Sequence, residues 1–188
     1  MVWERRSVTI INLCSDKDLE MKKCTAYWPQ SRDQPWIVNI SAKSFISITL
    51  TRELEETQFL TRRYFEVKQS DYENFHKVEM IHFKGWPDHS VPSEASFFDF
   101  YEIVKHLATH YLSKSPKPVV VHCSAGLGWT GTLILSALTI AELLMKHCML
   151  AENEDIVKTR FCLARNLLWI WKDRFGLVQN IEQYKMVY

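Results

Sequence analysis

At 188 residues, 47% apolar and 24% charged, the chain can bury one sizeable core and is short for two ordinary domains, so a single domain over 1–188 is expected. A net charge of +1 supplies no whole-molecule field toward nucleic acid. Five cysteines without a CxxC pair (Cys14, Cys24, Cys123, Cys148, Cys162) fit a reduced, cytoplasmic protein better than a disulfide scaffold, and Glu4, Arg5 and Arg6 interrupt the apolar core a secretory signal needs.

Residues 7–13, SVTIINL, are rich in β-branched side chains and predict a strand. Segments 37–50, 63–68 and 78–83 alternate in part and predict further strands between polar or proline-containing turns. Ser93 is placed to cap a helix with an apolar face of Phe97, Tyr101, Val104, Leu107 and Ala108, and Tyr111 near its end. Pro118 opens a short all-valine strand at 119–121, which predicts a mid-sheet position covered on both faces. From 130 to 147 the apolar character is continuous and predicts a largely buried helix. Its longest apolar run, 132–145, falls short of a bilayer span and contains Glu142, so no membrane contact is expected. Another helix is predicted from near 153 to about 172, with Gly176 as its stop and a short helix beyond. Strands dominate the first half and helices the second, which predicts an α/β or α+β class: a central twisted mixed sheet flanked by helices.

The chemistry concentrates at 119–134, VVVHCSAGLGWTGTLI, a strand feeding a glycine-punctuated loop and then a helix. Gly126 and Gly128 let the backbone turn tightly, so successive N–H groups converge, and the helix adds the positive end of its dipole. Such a loop holds an anion such as phosphate by backbone donors, and its field favours the thiolate of Cys123 as a nucleophile. A lone cysteine near glycines is more often a core residue. The whole string between strand and helix outweighs that reading. The histidines at 82, 89, 106, 110 and 147 show no metal-ligand spacing, and neither a metal nor a cofactor is expected. Trp3, Trp28, Trp36, Trp169 and Trp171 read as packing residues, and Lys172, Asp173 and Arg174 as a solvated helix end.

HCSAGLGWTG resembles the HCSAGxGR[ST]G signature of the tyrosine-specific cysteine phosphatases at every fixed position except arginine, where Trp129 stands. Other landmarks follow in order. VWE at 2–4 is similar to the family's strand start, KCTAYWPQ at 23–30 to its KCxxYWP, and GWPDHSVP at 85–92 to its WPDxGVP loop with Ser90 for glycine. RFGLVQNIEQY at 174–184 is similar to its RxGxVQTxxQY segment with Asn180 for threonine. The resemblance implies a nucleophile in Cys123, an environment for it set by His122, and phosphoryl oxygens held by the backbone of Ser124, Ala125, Gly126, Leu127, Gly128, Trp129 and Thr130. It further implies that the Thr130 hydroxyl supports the departing thiolate, that Asp88 on a mobile loop is the general acid, and that Gln179 and Gln183 position water.

The departures from that pattern set the functional expectation. A guanidinium at 129 would bind two phosphoryl oxygens through parallel charged hydrogen bonds, whereas an indole has one N–H and no charge. Losing one neutral donor from such a site costs about 10²–10³ in rate, and losing a bidentate cation at least that much. Trp171 also stands where the family commonly has an arginine that helps hold the phosphate loop. The segment 153–179 reads as longer than the family's by roughly two turns at about 3.6 residues per turn. Nothing in 1–188 matches the family's upstream KNRY segment, so a dimer or a partner chain is expected to cover the missing N-terminal elements. The expected function is a catalytically inactive or severely impaired relative that binds a protein or phosphotyrosine protein. An active phosphotyrosine phosphatase with residual turnover and a structural relative without a ligand remain as alternatives.

Overall fold

Six strands, β1 (Thr9–Asn12), β2 (Trp36–Asn39), β3 (Phe45–Glu55), β4 (Leu60–Gln69), β5 (His76–Phe83) and β6 (Val119–His122), form one sheet in the order β2-β3-β4-β5-β1-β6. This is the computed structural model, which describes residues 1–86, 90–149 and 163–188. The chain divides into a sheet unit, Met1–Trp86 with Lys117–Ser124, and a helical unit, Pro87–Pro116 with Ala125–Tyr188. The mixed sheet and the helices bear out the α/β class.

In the sheet unit, β2 through β5 pair antiparallel, whereas β1 runs parallel to both β5 and β6. The segment predicted as one strand at 37–50 is a hairpin: the amides of Ile40 and Ser41 both donate to Ser44 O, closing a turn without glycine or proline. Between Leu50 and Arg52 the β3–β4 register slips by a bulge, and the Thr51 hydroxyl bonds Tyr64 O at 2.9 Å. One apolar cluster, Trp3, Ile10, Trp28, Leu50, Phe65, Val67, Val78 and Met80, forms the core of this unit, each side chain contributing about 1.5–3 kcal/mol. The residues expected to start a strand at VWE instead form α1 (Val2–Arg5), which buries Trp3 and ends on Arg6 at φ 53. A short helix not predicted, α2 (Asp16–Glu20), is held by a reciprocal cap: the Ser15 hydroxyl accepts from Asp18 N and the Asp18 carboxylate accepts from Ser15 N.

The predicted mid-sheet place of 119–121 is corrected: among the described residues β6 is an edge strand, and its four residues are half-buried. Valine fits a half-covered face as well as a fully covered one. Trp36 on edge strand β2 is also exposed, as is Trp169, so neither is the packing residue expected.

The helical unit comprises α3 (Glu94–Tyr111), α4 (Gly128–Met149), α5 (Leu163–Asp173) and α6 (Ile181–Val187). Ser93 occupies the N-cap of α3, but its hydroxyl bonds the Ser96 hydroxyl rather than a backbone amide. The buried stripe of α3 is Ser96, Asp99, Phe100, Ile103, Val104 and Ala108, while Phe97, Tyr101 and Tyr111 of the predicted face are exposed. The helix turns that face by about one residue because its period is 3.6. α4 starts two positions earlier than predicted, and its stretch Gly128–Lys146 is long and apolar enough to cross a bilayer, longer than the run read from the sequence. In this fold it is a core helix, with Leu133, Leu135, Ala137 and Ala141 buried. Leu135 packs with Leu163, Ile170, Leu177 and Val178, and Trp171 and Tyr184 pack against that cluster. Glu142 ties α4 to α5. Burial alone would raise its carboxyl, but hydrogen bonds from Lys146, Asn166 and Arg165 prevail and hold it at about 2. Of the helix predicted from near 153 to about 172, the part from 163 is observed as α5, and the part before it lies in 150–162, outside the described residues.

Candidate active site

On the sheet unit the site begins where β1 and β6 end side by side. Asn12 is in register with His122, and Leu13 N donates to His122 O at 2.9 Å, so the strand is held to its last residue before Cys123. His122 accepts at Nε2 from the Tyr27 hydroxyl, and its Nδ1 faces Cys123 O at 3.4 Å. Burial lowers the imidazole from its ordinary range, partly offset by the bond to the Cys123 carbonyl, so the ring is neutral with its proton on Nδ1. Burial raises the Tyr27 phenol, which keeps it protonated and donating. Cys123 is buried, and the Ser124 hydroxyl donates to Lys23 O at 3.1 Å, tying the end of this segment to the KCTAYWP stretch. Cys14 lies in the same unit, and burial pushes its thiol upward.

On the helical unit the loop runs from Ala125 into the first turn of α4. Gly126 takes φ 68, a left-handed conformation that favours glycine. Leu127 O accepts both from Gly131 N at 2.8 Å and from Val178 N at 3.3 Å. Val178 itself sits at φ 66, a strained conformation for a β-branched side chain, and that backbone carries the amide onto the loop. Gly131 has no room for a side chain, since a Cβ there would come within 2.5 Å of Val178 N and 2.8 Å of Leu177 Cβ.

Two predicted residues from a distant part of the chain reach this loop. A Cβ on Gly128 would lie 2.6 Å from Gln179 Oε1 and 3.0 Å from Gln183 Nε2, so both glutamine side chains lie against Gly128. Gln183 is buried, accepts at Oε1 from Gln179 N at 2.9 Å, and donates its own amide to Asn180 Oδ1 at 2.9 Å. Asn180, which stands where the family pattern has threonine, is thus the N-cap of α6.

Trp129 and Thr130 are both buried in the first turn of α4, so the indole is not turned out to solvent. Trp171 donates its Nε1 to Leu177 O at 2.7 Å and packs in the core of its unit. Arg174 is exposed, as a solvated helix end would be, but its Nη2 donates to Ala125 O at 3.2 Å, which the sequence reading missed. Arg174 is the arginine that opens the RxGxVQ segment, the one sequence signal that sets it apart from Lys172 and Asp173. Gly131 belongs to the motif, but its role depends on Val178 being at hand. Asp88 lies outside the described residues. The structure thus brings together His122 with Cys123, and Gln179 and Gln183 with Gly128.

Among the described residues no group of three or more His, Cys, Asp or Glu is placed to hold a metal ion. What the loop offers chemically is a glycine-shaped backbone and the N-terminus of a 22-residue helix, both of which favour an oxyanion. At 129 it offers no cation.

A family model described as protein-tyrosine phosphatase matches residues 1–188. The chain is 35% identical to the human receptor-type tyrosine-protein phosphatase eta over 187 residues, 98% of this chain and 11% of that protein. It is 29% identical to the rat tyrosine-protein phosphatase non-receptor type 20 over 188 residues, 100% of this chain and 39% of that protein. Among solved structures it is similar to the catalytic domain of human protein tyrosine phosphatase non-receptor type 18, with a TM-score of 0.78 and 27% identity over 100% of this chain and 60% of that one. A protein tyrosine phosphatase of Trypanosoma brucei is similar at a TM-score of 0.75 and 25% identity, again over 100% of this chain and 60% of that one. The chain thus spans less than half of these curated relatives and three fifths of these solved chains.

Proposed function

The chain belongs to the protein-tyrosine phosphatase family, and from that premise we propose that it has lost most or all turnover and acts by binding a protein partner, phosphotyrosine proteins included. The observation that carries this reading is Trp129: a buried, uncharged indole stands where the family signature has its phosphate-clamping arginine. In phosphoryl transfer the protein contributes chiefly positioning and charge stabilisation of the equatorial oxygens. Backbone amides and a helix N-terminus supply part of that stabilisation, and the bidentate cation supplies the part they cannot.

The rest of the machinery has its counterparts. In the reaction such a site performs, the Cys123 thiolate attacks phosphorus while the bond to the tyrosyl oxygen breaks, and Asp88 gives that oxygen its proton. Water positioned by Gln179 and Gln183 then gives a proton back to Asp88 and attacks phosphorus, and phosphate leaves as the S–P bond breaks with Thr130 supporting the thiolate. The two glutamines against Gly128 favour a second reading, a phosphatase with residual turnover.

Steady-state hydrolysis of p-nitrophenyl phosphate by the unaltered chain and by Trp129→Arg tests the proposal. Turnover at background in the former and a gain of about 10²–10³ in the latter supports it. Turnover of the unaltered chain comparable to that of Trp129→Arg overturns it in favour of the second reading.

A further inference from the structure

Among the described residues β2 ends the sheet, and 36–42, WIVNISA, holds neither a charge nor a proline. All four residues of the strand are exposed. An open, uncharged, apolar edge is a template for another strand. Which backbone groups it offers follows from the ladder. Ile40 N donates to Ser44 O at 2.9 Å, while Phe45 O turns the other way and accepts from Ser70 N. Trp36, Val38 and Ile40 therefore address β3, and the N–H and C=O groups of Ile37 and Asn39 point out of the sheet. Side chains alternate between the two faces. Val38 lines an apolar cavity of about 260 Å³ with Ile10, Ile46 and Phe65, so Trp36, Val38 and Ile40 share that face, at 38%, 48% and 54% exposure.

A second copy of this chain fits that edge. Centred on Val38, a two-fold antiparallel pairing sets Ile37 of one copy against Asn39 of the other, and the outward N–H and C=O groups bond each other. On the cavity face the same register sets Trp36 against Ile40 at either end and Val38 against Val38 at the centre, all apolar pairs. It also brings exposed Asp33 of each copy to the turn that carries exposed Lys43 of the other. A register centred on Ile37 sets Ile40 against Gln34, and one centred on Asn39 sets Trp36 against Ala42; neither aligns Asp33 with Lys43. Ser41 N is already bound to Ser44 O and Pro35 has no N–H, so the ladder is short. We propose that β2 is a self-pairing edge, through which two copies of this chain form a dimer in the register centred on Val38. This surface does not depend on the functional reading of the loop.

Sedimentation velocity of the full chain across a concentration series reads the association. The unaltered chain should pass from monomer to dimer as concentration rises. Ile37→Pro removes an outward donor that β3 does not use, so it should weaken the dimer at least about tenfold and leave the monomer's thermal midpoint nearly unchanged. Asp33→Lys should weaken the dimer about 2–5-fold, and Asp33→Lys with Lys43→Asp should restore it. Residues facing each other in a non-hydrogen-bonded pair have Cα atoms about 4.5 Å apart, within reach of a disulfide. Val38→Cys should therefore cross-link two copies on mild oxidation, above the level of the unaltered chain, whereas Ile37→Cys, which faces Asn39, should not. A chain that stays monomeric at every concentration overturns the proposal. So does a dimer that Ile37→Pro leaves intact, or cross-linking through Ile37→Cys equal to that through Val38→Cys. Should Ile37→Pro fail to fold, the cross-linking pair decides: selective linkage through Val38→Cys supports the register, and its absence overturns it.

Discussion

The sheet unit and the helical unit hold their polar groups by different means. In the sheet unit two imidazoles are enclosed and neutral: His82 donates from Nε2 to Cys14 O at 2.7 Å and accepts at Nδ1 from Arg63 at 3.0 Å, and His122 lies between Tyr27 and the Cys123 carbonyl. Burial lowers both from their ordinary range. In the helical unit the ties run from single side chains onto backbone, from exposed Arg174 to Ala125 O, from half-buried Asn180 to Gln183 N and from buried Gln183 to Gln179 N. The motif departures Ser90, Trp129 and Asn180, and the unexpected Trp171, all belong to the helical unit, whereas KCTAYWP and HCS belong to the sheet unit. On the proposed function, the setting of Cys123 and the clamp at 129 are therefore separable. The neutral network around His122 is built from groups of the sheet unit alone, Tyr27 and the Cys123 carbonyl.

The largest expected effect breaks or confirms that separation. If the surroundings of Cys123 are intact, the gain in turnover from Trp129→Arg must run through its thiolate, and Trp129→Arg with Cys123→Ser should fall by at least about 10²-fold in p-nitrophenyl phosphate hydrolysis. Equal turnover in the single and double variants would place the chemistry elsewhere.

A second effect sharpens the enclosed character of the sheet unit. Burial pushes His82 down to about 4 from its ordinary 6.5. Above pH 6.5 the ring is neutral in both folded and unfolded chains, and its full contribution to stability is present. Between pH 6.5 and 4 the unfolded chain takes up a proton that the folded chain refuses, so stability falls by about 1.4 kcal/mol per pH unit, or about 3 kcal/mol in all. His122 adds in the same direction. Urea unfolding at a series of pH values reads this slope, and His82→Gln should flatten it by about one proton. A slope unaffected by that substitution would mean His82 titrates in the folded chain as it does in water.

How much of this could be read from sequence follows from the range of the forces involved. β1 and β5 were legible because β-branched and alternating runs report a local preference. The break between β2 and β3 was not, since Ile40–Ser44 turns through backbone bonds to Ser44 O without the usual turn residues. α2 spans five residues, too few to show a helical period, and only its Ser15–Asp18 cap marks it. The edge position of β6 depends on which strands pair, and VVV does not encode that. In the site, Cys123, Gly126, Gly128 and the glutamines were legible through their motif. The contact of Arg174 was not, although the residue opens the RxGxVQ segment, because an exposed arginine at a helix end reads the same whether it meets water or a carbonyl 49 residues away.

The helical unit's tight backbone contacts give the third prediction. Gly131→Ala ought to gain about 1 kcal/mol on helix propensity alone, but the added Cβ would meet Val178 N, a backbone atom unable to swing aside. Overpacking of this kind costs about 1–3 kcal/mol, so net destabilisation is expected in thermal or urea unfolding. A neutral or stabilised variant would show that the 177–178 backbone yields, and that the loop is less firmly held than its bonds imply.

The smallest effect separates a changed residue from a changed role. Asn180 differs from the family's threonine, yet it caps α6 by accepting from Gln183 N. Asn180→Thr should therefore alter stability by no more than a few tenths of a kcal/mol, while Asn180→Ala should cost about 1 kcal/mol. Because Gln183 in turn holds the Gln179 amide, the alanine variant should also speed exchange at Gln179, and the threonine variant should not. If both variants behaved alike, the cap would be incidental, and the two glutamines would owe their place against Gly128 to packing alone. The predicted contrast would instead make Asn180 a departure in identity only, unlike Trp129, where no chemistry of the new side chain reproduces the old one.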